Sequence, residues 1–162
     1  MGTQLPLTQA YICKVLDGWG FFYTLSATHS TLWGDIVGGL PGKTVLLRAD
    51  MDALPIQEAT GLPFSSQHDG KMHACGHDAH AAWLLGSAKI LAALQNEICG
   101  TVKFVFQPAE EGDRGALAMV KTGLLDDVDV VLGAHIYNSK SGNGMAGTQT
   151  GLYATTKFDV EI

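Results

Sequence analysis

The sequence predicts an α/β domain of three layers, in which helices cover both faces of a mostly parallel central sheet. Two observations favour this fold class. Apolar segments of strand length alternate along the chain with segments whose apolar residues recur at helical spacing. In addition, 162 residues with 46% hydrophobic and 16% charged content suffice for one well-buried domain and are too apolar for a disordered chain.

Charge and cysteine usage restrict the function classes. A formal net charge of −6 and the lack of a basic stripe argue against nucleic-acid binding. No apolar run approaches the roughly 20 residues that a membrane-spanning helix needs, so no membrane partner is expected. The chain has three cysteines, an odd number, at the widely spaced positions Cys13, Cys75 and Cys99, and no signal peptide precedes them. We therefore expect a reducing, cytoplasmic setting without disulfides.

The first third of the chain predicts one helix and three strands. A helical pattern begins at Leu7 and stops at a pair of glycines. The dipeptide Pro41-Gly42 predicts a turn before the third strand, whose centre is apolar enough to be buried on both faces. The predicted strands are residues 21–25, 35–40 and 44–48.

The remaining chain predicts two helices and three strands joined by loops. The longer helix carries an apolar face composed of Ala81, Leu84, Leu85, Ala88, Leu91 and Ala92. The predicted segments are a polar loop at 58–70, a helix at 78–96, a strand at 101–107, a helix at 114–122, a strand at 128–134, a loop at 138–151 and a strand at 157–162.

Residues 71–80 concentrate groups that can bind a transition metal: three histidines, one cysteine and one aspartate. Gly76 allows a tight bend between Cys75 and His77, so that both side chains could face one ion. His77 and His80 lie one turn apart on the helix that begins here. The cluster therefore predicts a metal site where a loop enters a helix.

Two other interpretations of this cluster stay open on the residues alone. A lone cysteine or histidine is usually a packed core residue, and free cysteine is often buried for its size. Cys75 could also act as a nucleophile with His77 as its base, since such pairs activate thiols.

Three predicted strands lead directly into further metal-capable side chains. Asp50 and Asp52 follow one strand, at the place where open α/β sheets position their chemistry, although aspartate is also common in turns. Glu110 and Glu111 follow the next strand; they can have separate roles, one binding metal and one acting as general base, or they can be solvated charges before a helix. His135 follows the last of the three. Metal-capable side chains after three separate strands favour a functional site over three independent coincidences.

Together these segments resemble the aminoacylase and carboxypeptidase superfamily of dinuclear metallopeptidases, especially its amidohydrolase branch. That branch includes hippurate hydrolases, N-acyl-amino-acid amidohydrolases and plant auxin-conjugate hydrolases. The matching strings occur in the family's order and at near-family spacing. They are residues 47–55, 70–80, 100–112 and 133–135.

The resemblance implies a site for two divalent ions, with zinc, manganese, nickel or cobalt all compatible with the ligand types. Cys75 would bridge the ions as a thiolate. His77 and His135 would complete the coordination of one ion, and Glu111 would bind the other.

The resemblance also implies the catalytic groups. Glu110 would be the general base that takes a proton from a metal-activated water and returns it to the leaving amine. Asp52 would orient a ligand such as His77. Three further matching residues, for which only support roles are expected, are Asp50, Asp78 and His80.

Family members are much longer than this chain, and their second ion receives a last histidine from near the carboxyl terminus. No histidine follows His135 here. The resemblance therefore predicts a partial catalytic domain at residues 7–152 and the start of a lid and dimerisation domain at residues 153–162. Full-length family members are often homo-oligomers.

The function implied by the resemblance is metal-dependent hydrolysis of the amide bond of an N-acyl amino acid or short peptide. One alternative is a catalytically silent metal-binding fragment that lacks the lid and the last histidine. Another is a hydrolase that uses Cys75 and needs no metal.

Overall fold

The computed structural model describes residues 2–136, which form three α-helices and five strands. The helices are α1 (Pro6–Gly18), α2 (His77–Ala93) and α3 (Gly115–Val120). The strands are β1 (Thr24–Leu25), β2 (Leu32–Val37), β3 (Leu40–Asp50), β4 (Cys99–Gln107) and β5 (Val130–Gly133). The predicted loop at 138–151, the strand at 157–162 and the second domain at 153–162 lie outside the described residues. Within residues 2–136, no helix has the length and apolarity needed to cross a membrane.

The strands form one sheet in the order β1-β2-β4-β3-β5. Strand β3 runs parallel to both β4 and β5, while β2 runs antiparallel to β4 and to β1. Because two reversals cancel, β1 points the same way as β4, and only β2 opposes the others. The predicted mostly parallel sheet is confirmed. The carboxyl ends of β3, β4 and β5 therefore meet at one edge of the sheet, which is where such sheets bind ligands.

Helices cover both faces of this sheet, as predicted. On one face, α1 and α2 bury Leu16, Leu84 and Ala88 against Phe104 and Phe106 of β4. On the other face, Met119 of α3 and the following Leu124 pack against Leu46 and Val105. Successive residues of β4 alternate between the two clusters because side chains of a strand point to opposite faces. The result is the expected three-layer arrangement.

The predicted turn at Pro41-Gly42 is wrong, because this dipeptide lies inside β3. Pairing with β4 shifts register between Leu40 and Thr44, and a proline without an N–H is tolerated at such an irregularity. A Cβ on Gly42 would lie 2.6 Å from the carbonyl carbon of Cys99, so the two strands approach closely here.

The chain instead turns at Gly38-Gly39, which link β2 to β3. These two strands flank β4, so the short link passes across the beginning of β4. A side chain on Gly38 would collide with the carbonyl oxygen of Ile98, and one on Gly39 would come within 2.8 Å of the Asn96 oxygen. Only glycine fits such a crossing.

Lys103 is a buried cation on the α3 face of β4, with 5% of its surface exposed. Its Nζ donates to the Leu124 carbonyl at 3.0 Å and to Asp127 Oδ1 at 2.6 Å. The hydrogen bond from Lys103 holds the pKa of the Asp127 carboxyl below its usual range. The ion pair thus satisfies a charge that burial alone would destabilise.

We expect Asp127→Asn to lower the free energy of unfolding by at most about 1 kcal/mol at neutral pH, because the Asp127 side chain is 62% exposed and water screens its interaction with the buried ammonium. Lys103→Met should cost less, since it removes the charge together with its need for a partner. The lowered pKa means that the Asp127 contribution is present above the unfolded-state pKa and is lost as the pH falls through the folded-state pKa. Urea unfolding at several pH values measures this. A Lys103→Met loss larger than that of Asp127→Asn would contradict it.

Candidate metal centre

The sheet edge formed by β3, β4 and β5 brings together all six residues predicted for the site. Asp52 follows β3, Glu110 and Glu111 follow β4, and His135 follows β5, while Cys75 and His77 lie at the start of α2. The ligand atoms of Cys75, His77 and His135 all lie within 4.8 Å of one another. The same holds for His77, Glu110 and Glu111.

His77 occupies the centre of this cluster, and its side chain is fully buried. Its Nδ1 lies 3.3 Å from Asp52 Oδ1, and its Nε2 lies 3.8 Å from Glu111 Oε1 and 3.9 Å from Glu110 Oε2. Within residues 2–136, neither ring nitrogen makes a well-aligned hydrogen bond. Burial lowers the pKa of His77, but the surrounding carboxylates, Asp52 first, outweigh burial and raise it.

Asp52 lies beside Nδ1 of this buried imidazole, whereas Nε2 has no group within hydrogen-bond distance in residues 2–136, and a metal ion at Nε2 would satisfy it. The neighbouring thiol, imidazole and carboxylates are also the donor types that borderline transition metals prefer. The residues present therefore fit a divalent transition metal.

Asp52 contacts His77 and both glutamates, and so links them. It is 1% exposed, and its two oxygens accept the backbone N–H groups of Glu110 at 3.0 Å and Glu111 at 3.2 Å. Burial opposes its ionisation, but the His77 side chain and the two backbone N–H groups outweigh burial and lower its pKa to about 2. Asp52 is therefore a carboxylate at neutral pH.

The turn that follows β4 presents these N–H groups. Ala109 is fully buried and has φ of 57°, an uncommon conformation for a residue other than glycine. Such a conformation costs on the order of 1 kcal/mol and persists only where neighbouring contacts require it. The Ala109 carbonyl accepts the Gly115 N–H at 3.0 Å, and Asp52 accepts the next two N–H groups, so hydrogen bonds hold the turn on both sides of this residue.

Cys75 and His135 form the second part of the cluster, with 3.4 Å between Sγ and Nε2. His135 Nδ1 lies 2.5 Å from the carbonyl oxygen of Ile136, which can only accept, so Nδ1 carries the proton and Nε2 the lone pair. Burial, and then the adjacent Glu111 carboxylate, raise the pKa of the Cys75 thiol to about 11. A nucleophilic cysteine needs a lowered pKa, so this environment disfavours the hypothesis of a metal-free thiol hydrolase.

Gly76 separates Cys75 from His77 and allows both to face the cluster. Its φ of 83° is left-handed, as the predicted tight bend requires. A Cβ at this position would lie 2.6 Å from Ile136 Cγ1, because the Ile136 side chain packs directly on the glycine. The residue is therefore required both for the bend and for this packing.

Asp50 and His80, for which only support was expected, belong to a hydrogen-bonded network beside the cluster. His80 Nδ1 lies 2.7 Å from Asp50 Oδ1, and Arg48 Nη1 donates to Asp50 Oδ2 at 2.8 Å. The ion pair between Arg48 and Asp50 was not predicted from the sequence, although their two-residue spacing along β3 places both side chains on one face of the strand. Asp78 is exposed in the first turn of α2.

A cavity of about 680 Å³ lies beside the beginning of α1. Part of its wall is formed by Met51, Ala53, His73 and Asp78, which are sequence neighbours of the candidate site residues, but none of the six candidate site residues lines it. Its other walls come from the beginning of α1 and the loop at 58–71. The volume is within the range of small-molecule sites.

Comparison with known proteins gives one family match, to the model described as peptidase family M20/M25/M40, over residues 46–161. The N-acetyl-L-cysteine deacetylase of Bacillus subtilis is 43% identical over 157 residues, 96% of this chain and 38% of that protein. The IAA-amino acid hydrolase ILR1-like 5 of Arabidopsis thaliana is 53% identical over 152 residues, 94% of this chain and 34% of that protein.

Among solved structures, the Bacillus subtilis YXEP protein superposes with a TM-score of 0.76 at 41% identity. The match covers 79% of this chain and 36% of that one, which is described as a dinuclear metal-binding peptidase of the M20 family. The chain thus spans between a third and two fifths of the length of these relatives.

Proposed function

Because the chain belongs to peptidase family M20/M25/M40, we propose that it supplies the metal centre of an amidohydrolase that cleaves N-acyl amino acids. The observation that carries this proposal is the buried imidazole of His77, whose ring nitrogens make no well-aligned hydrogen bond within residues 2–136 and whose Nε2 faces two glutamates beside the Cys75–His135 pair. The names of the relatives, a deacetylase of N-acetyl-L-cysteine and a hydrolase of an amino-acid conjugate, support the substrate class.

The residues that would hold the two divalent ions are Cys75, His77, His135 and Glu111. The mutual proximity of the first three ligand atoms supports this assignment, as does the Glu111 carboxylate beside the thiol. Zinc, manganese, nickel and cobalt all suit such a donor set. When bound, the ions would supply polarisation of the amide carbonyl and acidification of a water.

Glu110 is the proposed general base. Its side chain is 43% exposed, whereas the Glu111 side chain is only 21% exposed, so the two adjacent carboxylates occupy different environments. The more exposed carboxylate can reach a substrate and exchange protons with it, while the more buried one is better placed to hold an ion. Glu110 would take the proton of the attacking water and return it to the amine that leaves.

Asp52 is proposed to act through other residues. Its contacts orient His77 and fix the backbone of the two glutamates, so that it would set the distance between a metal ligand and the base. A carboxylate behind a metal-binding histidine also strengthens the histidine as a ligand.

The proposal extends to the domain bounds, the substrate and the cellular location. We assign residues 7–152 to the catalytic domain and residues 153–162 to the start of a lid and dimerisation domain. The substrate would be an N-acyl amino acid, hippurate among them, or a short peptide. A reducing, cytoplasmic location is supported by Cys13, Cys75 and Cys99, which are all free thiols.

The test is hydrolysis in the presence and absence of metal. Protein supplied with Zn²⁺, Mn²⁺, Ni²⁺ or Co²⁺ should release free amino acid from N-acetyl and N-benzoyl amino acids, and a chelator should abolish the release until metal is restored. Release that persists in excess chelator would contradict the proposal. Metal binding without any release would instead favour a catalytically silent metal-binding domain, a candidate supported by the chain's limited share of its relatives' length.

A further inference from the structure

Two buried histidines, His77 and His80, lie one turn apart at the start of α2, and they differ in the hydrogen bonds of their ring nitrogens. The ring nitrogens of His77 lack a well-aligned partner in the part of the chain that the structure describes. Both nitrogens of His80, which is 3% exposed, are engaged: Nδ1 lies 2.7 Å from Asp50 Oδ1, and Nε2 accepts the Ile136 N–H at 3.0 Å. Asp50, His77 and His80 are close enough to hold an ion. An ion bound by His80, however, would displace one of these hydrogen bonds.

The environment of Asp50 fixes which nitrogen of His80 carries the proton. Asp50 Oδ2 accepts from Arg48 Nη1 at 2.8 Å, and Arg48 Nε donates to Gln107 Oε1, also at 2.8 Å. A carboxylate paired with arginine accepts a hydrogen bond, so Nδ1 of His80 must be the donor. Nε2 then has a lone pair, which is what the N–H of Ile136 requires.

Ile136 is held on three sides. Its N–H donates to His80, its carbonyl accepts the Nδ1–H of His135, and its side chain packs on Gly76 between Cys75 and His77. The bond from His135 to this carbonyl leaves Nε2 of His135 directed at Cys75 Sγ, 3.4 Å away. His80 and the proposed ligand His135 therefore bond to the same residue, His80 to its N–H and His135 to its carbonyl.

We propose that His80 is a positioning residue: through the backbone of Ile136 it holds His135 with Nε2 directed at Cys75. The chain of contacts is Arg48 to Asp50, Asp50 to His80, His80 to the backbone N–H of Ile136, and the carbonyl of the same residue to His135. The inference rests on the proposed function only in treating His135 and Cys75 as metal ligands.

Two substitutions separate this role from general packing. In His80→Gln, the side-chain amide oxygen can reach the position of Nε2 and accept the Ile136 N–H. In His80→Asn, the shorter amide can replace Nδ1 toward Asp50 but cannot reach Ile136. Both variants remove the ring, so a purely structural role predicts similar losses. Lys121→Asn, at an exposed position directly after α3, is the control.

Zn²⁺ affinity should fall by about 10- to 100-fold in His80→Asn and stay within about 3-fold of wild type in His80→Gln. Hydrogen exchange of the Ile136 amide in the metal-free protein should be slow in the wild type and in His80→Gln, and at least about 10-fold faster in His80→Asn. Equal losses in both variants, or a fast-exchanging Ile136 amide in the wild type, would overturn the proposal.

The exchange measurement needs no metal, so it decides the role of His80 even if the wild type binds none and the proposed function fails. If His80→Asn does not fold, ¹⁵N spectra of the histidine side chains in the wild type decide instead. A protonated Nδ1 and an unprotonated Nε2 at His80 would support the proposal, and the opposite tautomer would overturn it.

Discussion

Glu110→Gln should reduce the rate of N-acyl amino acid hydrolysis by about 100- to 10,000-fold, the usual contribution of a general base. The substituted amide has nearly the same shape but cannot accept a proton from water. The contact of residue 110 with Asp52 is made by its backbone N–H and is therefore unaffected. Metal content should remain that of the wild type, because Glu110 is not a proposed ligand.

Substitution of the adjacent Glu111 distinguishes a general base from a metal ligand. Glu111→Gln should lower metal content as well as rate, since Glu111 is the proposed ligand. Glu97→Gln, on the exposed 3₁₀ turn Gln95–Glu97 before β4, should change neither. A Glu110→Gln protein that hydrolyses at the wild-type rate would show that the base is another group.

Asp52→Asn should weaken both the metal centre and the fold. The amide group cannot accept both backbone N–H groups of Glu110 and Glu111, because one of its two terminal atoms is a donor. It also provides a weaker partner for His77. We expect metal affinity to fall by about 10- to 100-fold.

The pKa of Asp52 gives the expected effect on stability. Its folded-state pKa of about 2 lies below that of an unfolded aspartate. The difference corresponds to roughly 2 kcal/mol of stability at neutral pH, fully present above about pH 5 and lost progressively as the pH falls toward 2. Asp52→Asn should lack this acid-dependent part. Urea unfolding of the metal-free protein between these pH values measures it, with the exposed Asp69→Asn as control. Identical pH profiles for Asp52→Asn and wild type would contradict the assignment.

The regular elements were predictable because their patterns are local. The apolar face of α2 and the alternation in β4 each follow from residues within a few positions of one another. The turn predicted at Pro41-Gly42 was wrong because a Pro-Gly dipeptide occurs at irregularities within strands as well as in turns, and here it coincides with a register shift in β3. The true crossing at Gly38-Gly39 depends on contact with the beginning of β4, some 60 residues away in sequence.

The proposed ligands were predictable for a different reason. Each follows a strand or begins a helix, and parallel strands bring their carboxyl ends to one edge. The orientation of the His135 ring was not predictable, because His135 bonds to the carbonyl of Ile136, an apolar residue without a chemical signal. The contact of His135 with Cys75 becomes visible only when the fold brings the start of α2 and the end of β5 together.

The most direct test is the number of metal ions bound per chain, measured by elemental mass spectrometry on reduced protein supplied with Zn²⁺ and then dialysed. Wild type should hold about two ions, as expected for a dinuclear site. Cys75→Ser should lose most of this metal, while Cys99→Ser, an exposed cysteine at the start of β4, should retain it. A folded wild-type protein without bound metal, or a Cys75→Ser protein with the wild-type content, would contradict the central claim that Cys75 lies at a metal centre.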